Sequence, residues 1–107
     1  MKDFSFRMYQ LEDKQSIYEL WRTHFRPELI DKRKEIFSWI AERNPYLMGK
    51  ATYHVVFKGK KLLAYYGRIP TRFVVKGEVM DTYFCHDVLV HPRFWGKGIA
   101  DKLVKNA

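Results

Sequence analysis

The chain has 107 residues, of which 47% are hydrophobic and 17% aromatic, so a packed core is expected and a disordered chain is excluded. Its length suits one small domain rather than two. The 20 Lys and Arg residues outnumber the 12 Asp and Glu residues, and the net charge of +8 favours polyanionic partners without specifying which.

The first half of the chain predicts a strand followed by two helices. Phe4–Tyr9 alternates apolar and polar residues with the period of a strand. Apolar residues then recur at helical spacing in Lys14–Phe25 and, after Pro27, in Glu28–Arg43. Asn44-Pro45 is expected to end the second helix.

The second half changes to the two-residue period of strands. A hairpin is predicted from Thr52–Phe57 and Leu62–Ile69, and a second one from Arg72–Val75 and Glu78–Val90. A short helix over Gly98–Ala107 closes the chain. The predicted order is β-α-α-β-β-(β)-β-α, which is an α/β (α+β) fold with a mostly antiparallel sheet and flanking helices.

The cellular compartment follows from what the sequence lacks. Cys85 is the single cysteine, which excludes an intrachain disulfide and favours a reducing compartment. The opening residues lack the apolar core of a signal peptide, and the longest apolar run, Leu62–Tyr66, is too short to span a bilayer. We therefore expect a cytoplasmic protein without a membrane partner and without a bound metal.

The most informative segment is Asp87–Val104, in which an apolar strand, a turn and a helix flank a glycine pair. Gly96 and Gly98 let a ligand approach the backbone closely, and the first N–H groups of the following helix have no partner within it. Such a connection can hold a phosphate. The alternative is a glycine-containing turn that binds nothing.

This segment resembles the acetyl-CoA-binding motif of the GNAT superfamily of N-acetyltransferases. In that family a strand triplet, a turn and an Arg/Gln-x-x-Gly-x-Gly/Ala motif follow one another, and here the triplet is Val88-Leu89-Val90. The motif falls on Trp95-Gly96-Lys97-Gly98-Ile99-Ala100. Gly98 and Ala100 match, whereas Trp95 stands where the family usually has Arg or Gln.

The resemblance implies which residues hold acetyl-CoA. The backbone of the triplet Val88, Leu89 and Val90 belongs to the cofactor site, with Leu89 and Val90 paired with the pantetheine arm. The backbone N–H groups of the segment Trp95–Ala100, which comprises Trp95, Gly96, Lys97, Gly98, Ile99 and Ala100, would cradle the diphosphate. Arg93 or Lys97 would replace the charge lost at Trp95.

The general base for acetyl transfer is assigned to His86, two residues before Val88. Strict alternation places Phe84, His86 and Val88 on one face of the strand, and Cys85, Asp87 and Leu89 on the other. An imidazole has a solution pKa suited to a general base. The alternative is a histidine that only forms hydrogen bonds in the sheet. Asp87 is expected to pair with a basic residue, although a β-bulge would reverse its face.

Family members continue beyond this point with further strands and a helix, so the chain is expected to be a single and incomplete domain. The three alternatives are a fragment of a longer protein, a domain whose sheet is completed by a second copy or by another chain, and a shortened fold with a different task.

The leading functional hypothesis is the cofactor-binding part of an acetyl-CoA-dependent N-acetyltransferase, with an amine acceptor on a small molecule, a peptide or a tRNA. The alternatives are a non-catalytic acyl-CoA-binding or assembly module, including a homodimer through the open sheet edge, and a basic nucleic-acid-interacting protein.

Overall fold

The computed structural model describes residues 3–44 and 53–105, with the side chains of Cys85 and His86 outside the description. Four strands form one antiparallel sheet in the order β1-β2-β3-β4. They are β1 (Phe4–Met8), β2 (Tyr53–Lys58), β3 (Lys61–Val75) and β4 (Glu78–Val90). The helices are α1 (Lys14–Trp21), α2 (Pro27–Ser38) and α3 (Ile99–Lys105). The α+β architecture with a mostly antiparallel sheet is as predicted.

The sheet lies between two helical layers and therefore has a core on each face. Helices α1 and α2 cover one face, where a cluster of buried residues includes Ile17, Trp21, Phe37 and Tyr65. Helix α3 covers the other face with Ile99 and Leu103, against Val56, Ala64 and Tyr66. The helix-covered faces explain why both β2 and the first half of β3 read as nearly continuous apolar runs.

Both helices of the first layer are shorter than the periodicity suggested. Helix α1 ends at Trp21 because the hydroxyl of Thr23 donates to the carbonyl of Leu20 at 2.6 Å, and the amides of His24 and Phe25 both turn back to the carbonyl of Trp21. Helix α2 passes into a π-helical turn after Ser38, so its last residues are wider than an α-helix.

The two predicted strands Leu62–Ile69 and Arg72–Val75 are one continuous strand, and the predicted break at Pro70 is wrong. Strand β2 pairs with β3 only as far as Gly67, so beyond that point β4 is the one neighbour of β3 among the described residues. The missing N–H of Pro70 is tolerated in such an edge segment. Its carbonyl accepts a hydrogen bond from the side chain of Asn44 at 3.4 Å.

Beyond Gly67, strands β3 and β4 form a two-stranded ribbon that carries an aromatic pair on one face. Phe73 and Phe84 contact each other with ring centroids 5.1 Å apart, and each side chain keeps about half its surface exposed (41% and 51%). The opposite face carries the ion pair of Arg72 with Asp81 at 2.9 Å. That face also carries the exposed Val74 and Val79, so apolar side chains lie on both faces of the ribbon and the aromatic pair lies on one of them.

The end of the second predicted helix and the start of the first predicted hairpin include Pro45 and Thr52, which lie outside the described residues. In the part of the chain that is described, no helix is long and apolar enough to cross a membrane.

Replacing Gly67 tests how closely its backbone packs against the ring of Tyr53. A Cβ added at Gly67 would lie 2.5 Å from Cε1 of Tyr53, a fully buried ring. Gly67→Ala is expected to lower the free energy of unfolding by about 1–3 kcal/mol through overpacking, as measured by urea denaturation. In the double variant with Tyr53→Leu the added methyl should cost less, and an equal cost in both backgrounds would contradict the proposed clash.

The pH dependence of stability tests the buried His54. Arg68 donates to Nε2 of His54 at 2.8 Å, and since a guanidinium can only donate, His54 is neutral. Burial and the nearby Arg68 charge lower the pKa of His54. The unfolded chain therefore binds the extra proton first, and stability should fall as the pH drops below about 6.5, by at most about 1.4 kcal/mol per pH unit. His54→Gln, which keeps an acceptor, should lose less stability than the parent chain between pH 7 and pH 5.5.

Candidate functional site

Strand β4 is the outer strand of the described sheet, and its ladder with β3 decides which of its backbone groups face outward. His91 donates its N–H to the carbonyl of Leu63 at 2.7 Å. Hydrogen-bonded and non-hydrogen-bonded pairs alternate along an antiparallel ladder. The backbone groups of Leu89 therefore point to β3, while those of Val88 and Val90 point to the open edge.

This alternation corrects the expectation that the backbone of Leu89 pairs with the pantetheine arm. Leu89 turns its N–H and C=O toward β3, and its side chain packs against the core under α1 and α2. An extended ligand on the edge of β4 would meet the backbone of Val88 and Val90 instead.

The carbonyl of Val90 is already engaged by two side chains. The indole Nε1–H of Trp95 donates to it at 2.7 Å, and Nε2 of His24 lies 3.0 Å from it. Since the acceptor is a carbonyl, His24 must donate through Nε2, and the two donors use both lone pairs of the oxygen. The outward groups left on the described part of β4 near its end are the N–H and C=O of Val88 and the N–H of Val90.

A glycine loop joins β4 to α3. Pro92–Phe94 forms a short 3-10 turn, and the chain then passes through Gly96 and Gly98 with φ angles of +76° and +75°. L-residues rarely adopt this conformation, which explains both glycines. A Cβ added at either position would meet nothing within 4 Å, because both α-carbons face an open pocket of about 340 Å³.

The amides of this loop are free for a ligand. Among the described residues, none accepts a backbone hydrogen bond from the N–H groups of 96–101, and the first amide to turn inward is that of Lys102, which donates to Gly98. Trp95 is a correction to the predicted cradle, because its N–H donates to the carbonyl of Pro92 at 3.3 Å. The open pocket and the unpaired amides fit a diphosphate.

Arg93 and Lys97, the two cations predicted to replace the charge lost at Trp95, lie on either side of it in the sequence. The amide of Arg93 donates to Nδ1 of His91 at 3.2 Å, and the ammonium of Lys97 lies 5.2 Å from the ring centroid of Phe94. Burial lowers the pKa of His91, with Lys61 and Arg93 adding like charge nearby.

The predicted alternation along β4 is broken by a bulge. The register runs from Asp87 opposite Gly67 directly to Cys85 opposite Arg68, so His86 is the extra residue. Phe84 consequently lies on the same face as Asp87, and the expectation that Phe84 and Val88 share a face is wrong. The backbone of His86 is in β4, but its side chain lies outside the description, and its role as general base stays a prediction.

Directly after the bulge, Asp87 is held by a polar network across the sheet. Its Oδ2 accepts from Arg33 of α2 at 2.6 Å and from the hydroxyl of Tyr65 at 2.7 Å. The indole of Trp21 donates to the same hydroxyl at 2.7 Å. The expected pairing of Asp87 with a basic residue is therefore present, and its partner is Arg33.

The network keeps the hydroxyl of Tyr65 protonated. Burial, together with the Asp87 carboxylate, raises the pKa of Tyr65, so the phenol stays protonated and donates. The guanidinium of Arg33 lies 4.9 Å from the ring centroid of Trp21 and 4.2 Å from that of Phe25. Arg33 Nε is buried without a hydrogen-bond partner among the described residues.

Sequence reasoning singled out neither Arg33 nor His24 as a site residue. The signal for Arg33 was present, since it lies between Ile30 and Phe37 at the spacing of the buried stripe of α2. A charged residue in such a stripe calls for a buried partner. No local pattern marks His24, because its acceptor is 66 residues away in the chain.

The chain is similar to a family of known proteins. A family model described as an acetyltransferase (GNAT) domain matches residues 5–107. The chain belongs to the GNAT acetyltransferase domain family. The resemblance inferred from Val88–Ala100 is therefore confirmed.

Solved GNAT structures share the fold at low sequence identity. A GNAT family acetyltransferase from Brucella melitensis, in complex with acetyl-CoA, is 22% identical with a TM-score of 0.68, over 96% of this chain and 64% of that one. An aminoglycoside antibiotic 6'-N-acetyltransferase from Acinetobacter haemolyticus is 14% identical (TM-score 0.61, 95% and 67%). A ribosomal-protein alanine N-acetyltransferase from Escherichia coli is 16% identical (TM-score 0.59, 96% and 56%).

The chain thus spans less than two thirds of the length of the first of these GNAT structures. No curated protein sequence matches it.

Asp87→Asn tests the network that follows the bulge. The amide removes the charge that pairs with Arg33 while keeping nearly the same shape, and urea denaturation is expected to show a loss of about 1–3 kcal/mol. Because Arg33→Met removes the cation, the two substitutions together should cost less than the sum of their separate effects. Strict additivity would contradict an energetic role for the pair.

Proposed function

We propose that this chain supplies the cofactor-binding part of an acetyl-CoA-dependent N-acetyltransferase that transfers the acetyl group directly to an amine. The observation that carries the proposal is the glycine loop, in which unpaired amides and an open pocket adjoin the outward backbone groups of an edge strand. Membership of the GNAT family supports it.

Each part of the proposed site would hold a different part of acetyl-CoA. The outward N–H and C=O of Val88 and the N–H of Val90 would bind the amide groups of the pantetheine arm, as a peptide adds to a strand edge. The amides from Gly96 to Ala100 would hold the diphosphate, with Arg93 and Lys97 adding positive charge. Bound acetyl-CoA would supply an activated acetyl thioester.

Acetyl transfer requires the acceptor amine in its neutral form, so a group of the protein must accept the proton that the ammonium form loses. We assign this role to His86, at the bulge of the strand that leads into the cofactor-binding triplet. The Asp87 carboxylate is paired with Arg33 and accepts a hydrogen bond from Tyr65, which supports a positioning role rather than one as general base. A bell-shaped or sigmoidal dependence of kcat/KM on pH that disappears in His86→Gln would support the assignment.

The acceptor is proposed only as an amine on a small molecule, a peptide or a tRNA. The two named relatives with different acceptors, an aminoglycoside and a ribosomal-protein alanine, share this fold about equally well. The fold therefore does not select among acceptors, and the net charge of +8 is the feature that favours an anionic carrier such as tRNA.

A second candidate is a non-catalytic acyl-CoA-binding module that forms a homodimer through the edge of β4. The face of the β3–β4 ribbon that carries the aromatic pair favours it, because Phe73, Met80 and Phe84 are each about half exposed. Sedimentation at micromolar concentration separates the candidates: a persistent dimer that binds acetyl-CoA without turnover supports the module, whereas a monomer opposes it.

Titration with acetyl-CoA tests the leading proposal. Binding to the native state should raise Tm by roughly 10 to 20 °C at a ligand concentration a hundredfold above Kd. Gly98→Val should abolish the shift, because the side chain would enter the space for the diphosphate and disfavours the positive φ.

Gly77→Val is the matched control. Gly77 also has a positive φ (+81°) and open space around it, but it lies in the hairpin turn between β3 and β4. Gly77→Val should lower the stability about as much as Gly98→Val does, and it should leave the rise in Tm induced by acetyl-CoA intact. Absence of any shift in the parent chain at millimolar acetyl-CoA would overturn the proposed function.

A further inference from the structure

The carbonyl of Val90 is contacted by two side chains, one from a residue 66 positions away in the sequence and one from a residue only 5 positions away. It is the last outward carbonyl of β4, and it receives the indole N–H of Trp95 at 2.7 Å and the imidazole N–H of His24 at 3.0 Å. The two rings also contact each other, with centroids 5.9 Å apart. We call His24, Val90 and Trp95 the clip.

We infer that His24 and Trp95 are positioning residues, which hold the glycine loop in its ligand-ready conformation by clipping it to the end of β4. The inference rests on the proposed function, because it concerns the seat of the diphosphate. It adds a role for Trp95, the position at which the chain departs from the family motif, and for His24, which lies outside that motif.

The glycine loop needs such an anchor because its own backbone supplies little restraint. Gly96 and Gly98 are the residue type that loses most conformational freedom on ordering, and the amides of 96–101 form no hydrogen bond with described residues. A loop that is ordered before binding spares the ligand that entropic cost. Trp95 is the residue directly before Gly96, so fixing its ring to Val90 fixes one end of the loop.

The other end is fixed by α3. Ile99 is fully buried against Val56, Ala64 and Tyr66, and Lys102 donates to the carbonyl of Gly98. The segment from Gly96 to Gly98 is therefore held at both ends, by the clip on one side and by α3 on the other. At the first end Phe94 also packs in the core under α3 and the amide of Trp95 donates to Pro92, and the clip adds the contact that fixes the Trp95 side chain itself.

The anchor on β4 is itself held by α1. His24 lies in the turn that ends α1, where its amide donates to the carbonyl of Trp21 at 2.9 Å, and Thr23 is tied to Leu20. Helix α1 in turn is packed on the sheet through Leu20 and Trp21. The clip therefore connects the glycine loop to the rigid core rather than to another loop.

The clip also limits how a ligand can align on β4. With both lone pairs of the Val90 carbonyl used, the outward acceptor near the end of the strand is the carbonyl of Val88. An N–H group of an extended ligand is directed there, and the diphosphate then falls on the glycine loop. The clip would set the register of the ligand as well as the shape of its seat.

Trp95→Phe and His24→Phe test the inference, because each keeps an aromatic ring and removes the donor. Each is expected to weaken coenzyme A binding about 3- to 10-fold by calorimetry, the range for one lost hydrogen bond. In the ligand-free protein, NMR order parameters of the amides of Gly96, Lys97 and Gly98 should fall from near 0.85 toward the flexible range. The ¹³C shift of the Val90 carbonyl should change in both variants.

Trp39→Phe is the matched control, since Trp39 is an exposed tryptophan on the π-helical turn after α2. It should leave the binding constant, the order parameters of the loop and the Val90 shift unchanged. Equal coenzyme A affinity and equal loop order in the parent chain, Trp95→Phe and His24→Phe would overturn the clip while leaving the proposed function standing.

If the parent chain fails to bind coenzyme A, the proposed function falls, and with it the role of the clip in ligand binding. The order parameters and the Val90 shift would then show only whether the contact orders the loop. Should Trp95→Phe fail to fold, His24→Phe gives the same readouts.

Discussion

The hydrogen-bond phase between β3 and β4 is the constraint on which the rest of the site depends. Once His91 donates to Leu63, alternation turns the backbone of Leu89 inward and that of Val88 and Val90 outward. A shift of one residue would exchange these groups and turn every side chain of the strand to the other face. The apolar cores on both faces oppose such a shift, so the packing of the sheet also determines the groups that an edge ligand would meet.

Side-chain contacts hold both ends of the short segment of β4 from Asp87, next to the bulge, to Val90, in the clip. At one end, Asp87 follows the extra residue His86 and is held from α2 by Arg33. At the other end, the carbonyl of Val90 is held by His24 and Trp95. An edge strand with a single neighbour would otherwise be free to twist or fray at a bulge. The contacts from α1, α2 and the glycine loop replace the second neighbour that the described sheet does not supply.

The sequence predicted the fold to the level of element order, because apolar periodicity and turn residues are local signals. It also located the glycine loop, since glycine pairs with positive φ leave a visible pattern at Gly96 and Gly98. What it missed depends on contacts between distant residues. The continuous strand through Pro70 depends on where β2 ends, and the partner of Asp87 depends on the packing of α2. The bulge was considered only as an alternative that would reverse the face of Asp87, because the sequence does not show which residue of β4 lacks a partner on β3.

Trp95 stands where the family motif usually has Arg or Gln, and this difference affects the side chain and the backbone of the loop in separate ways. An Arg or Gln at position 95 would offer its charge or its amide group to a ligand. A Trp at this position lacks both groups, so that side-chain contact is lost. In this structure the Trp95 side chain points back to Val90, while the free amides belong to the residues that follow it. Positive charge remains available from Arg93 and Lys97 on either side. Under the proposed function, the departure leaves free the amides that would hold the diphosphate and changes how the glycine loop is attached to the sheet.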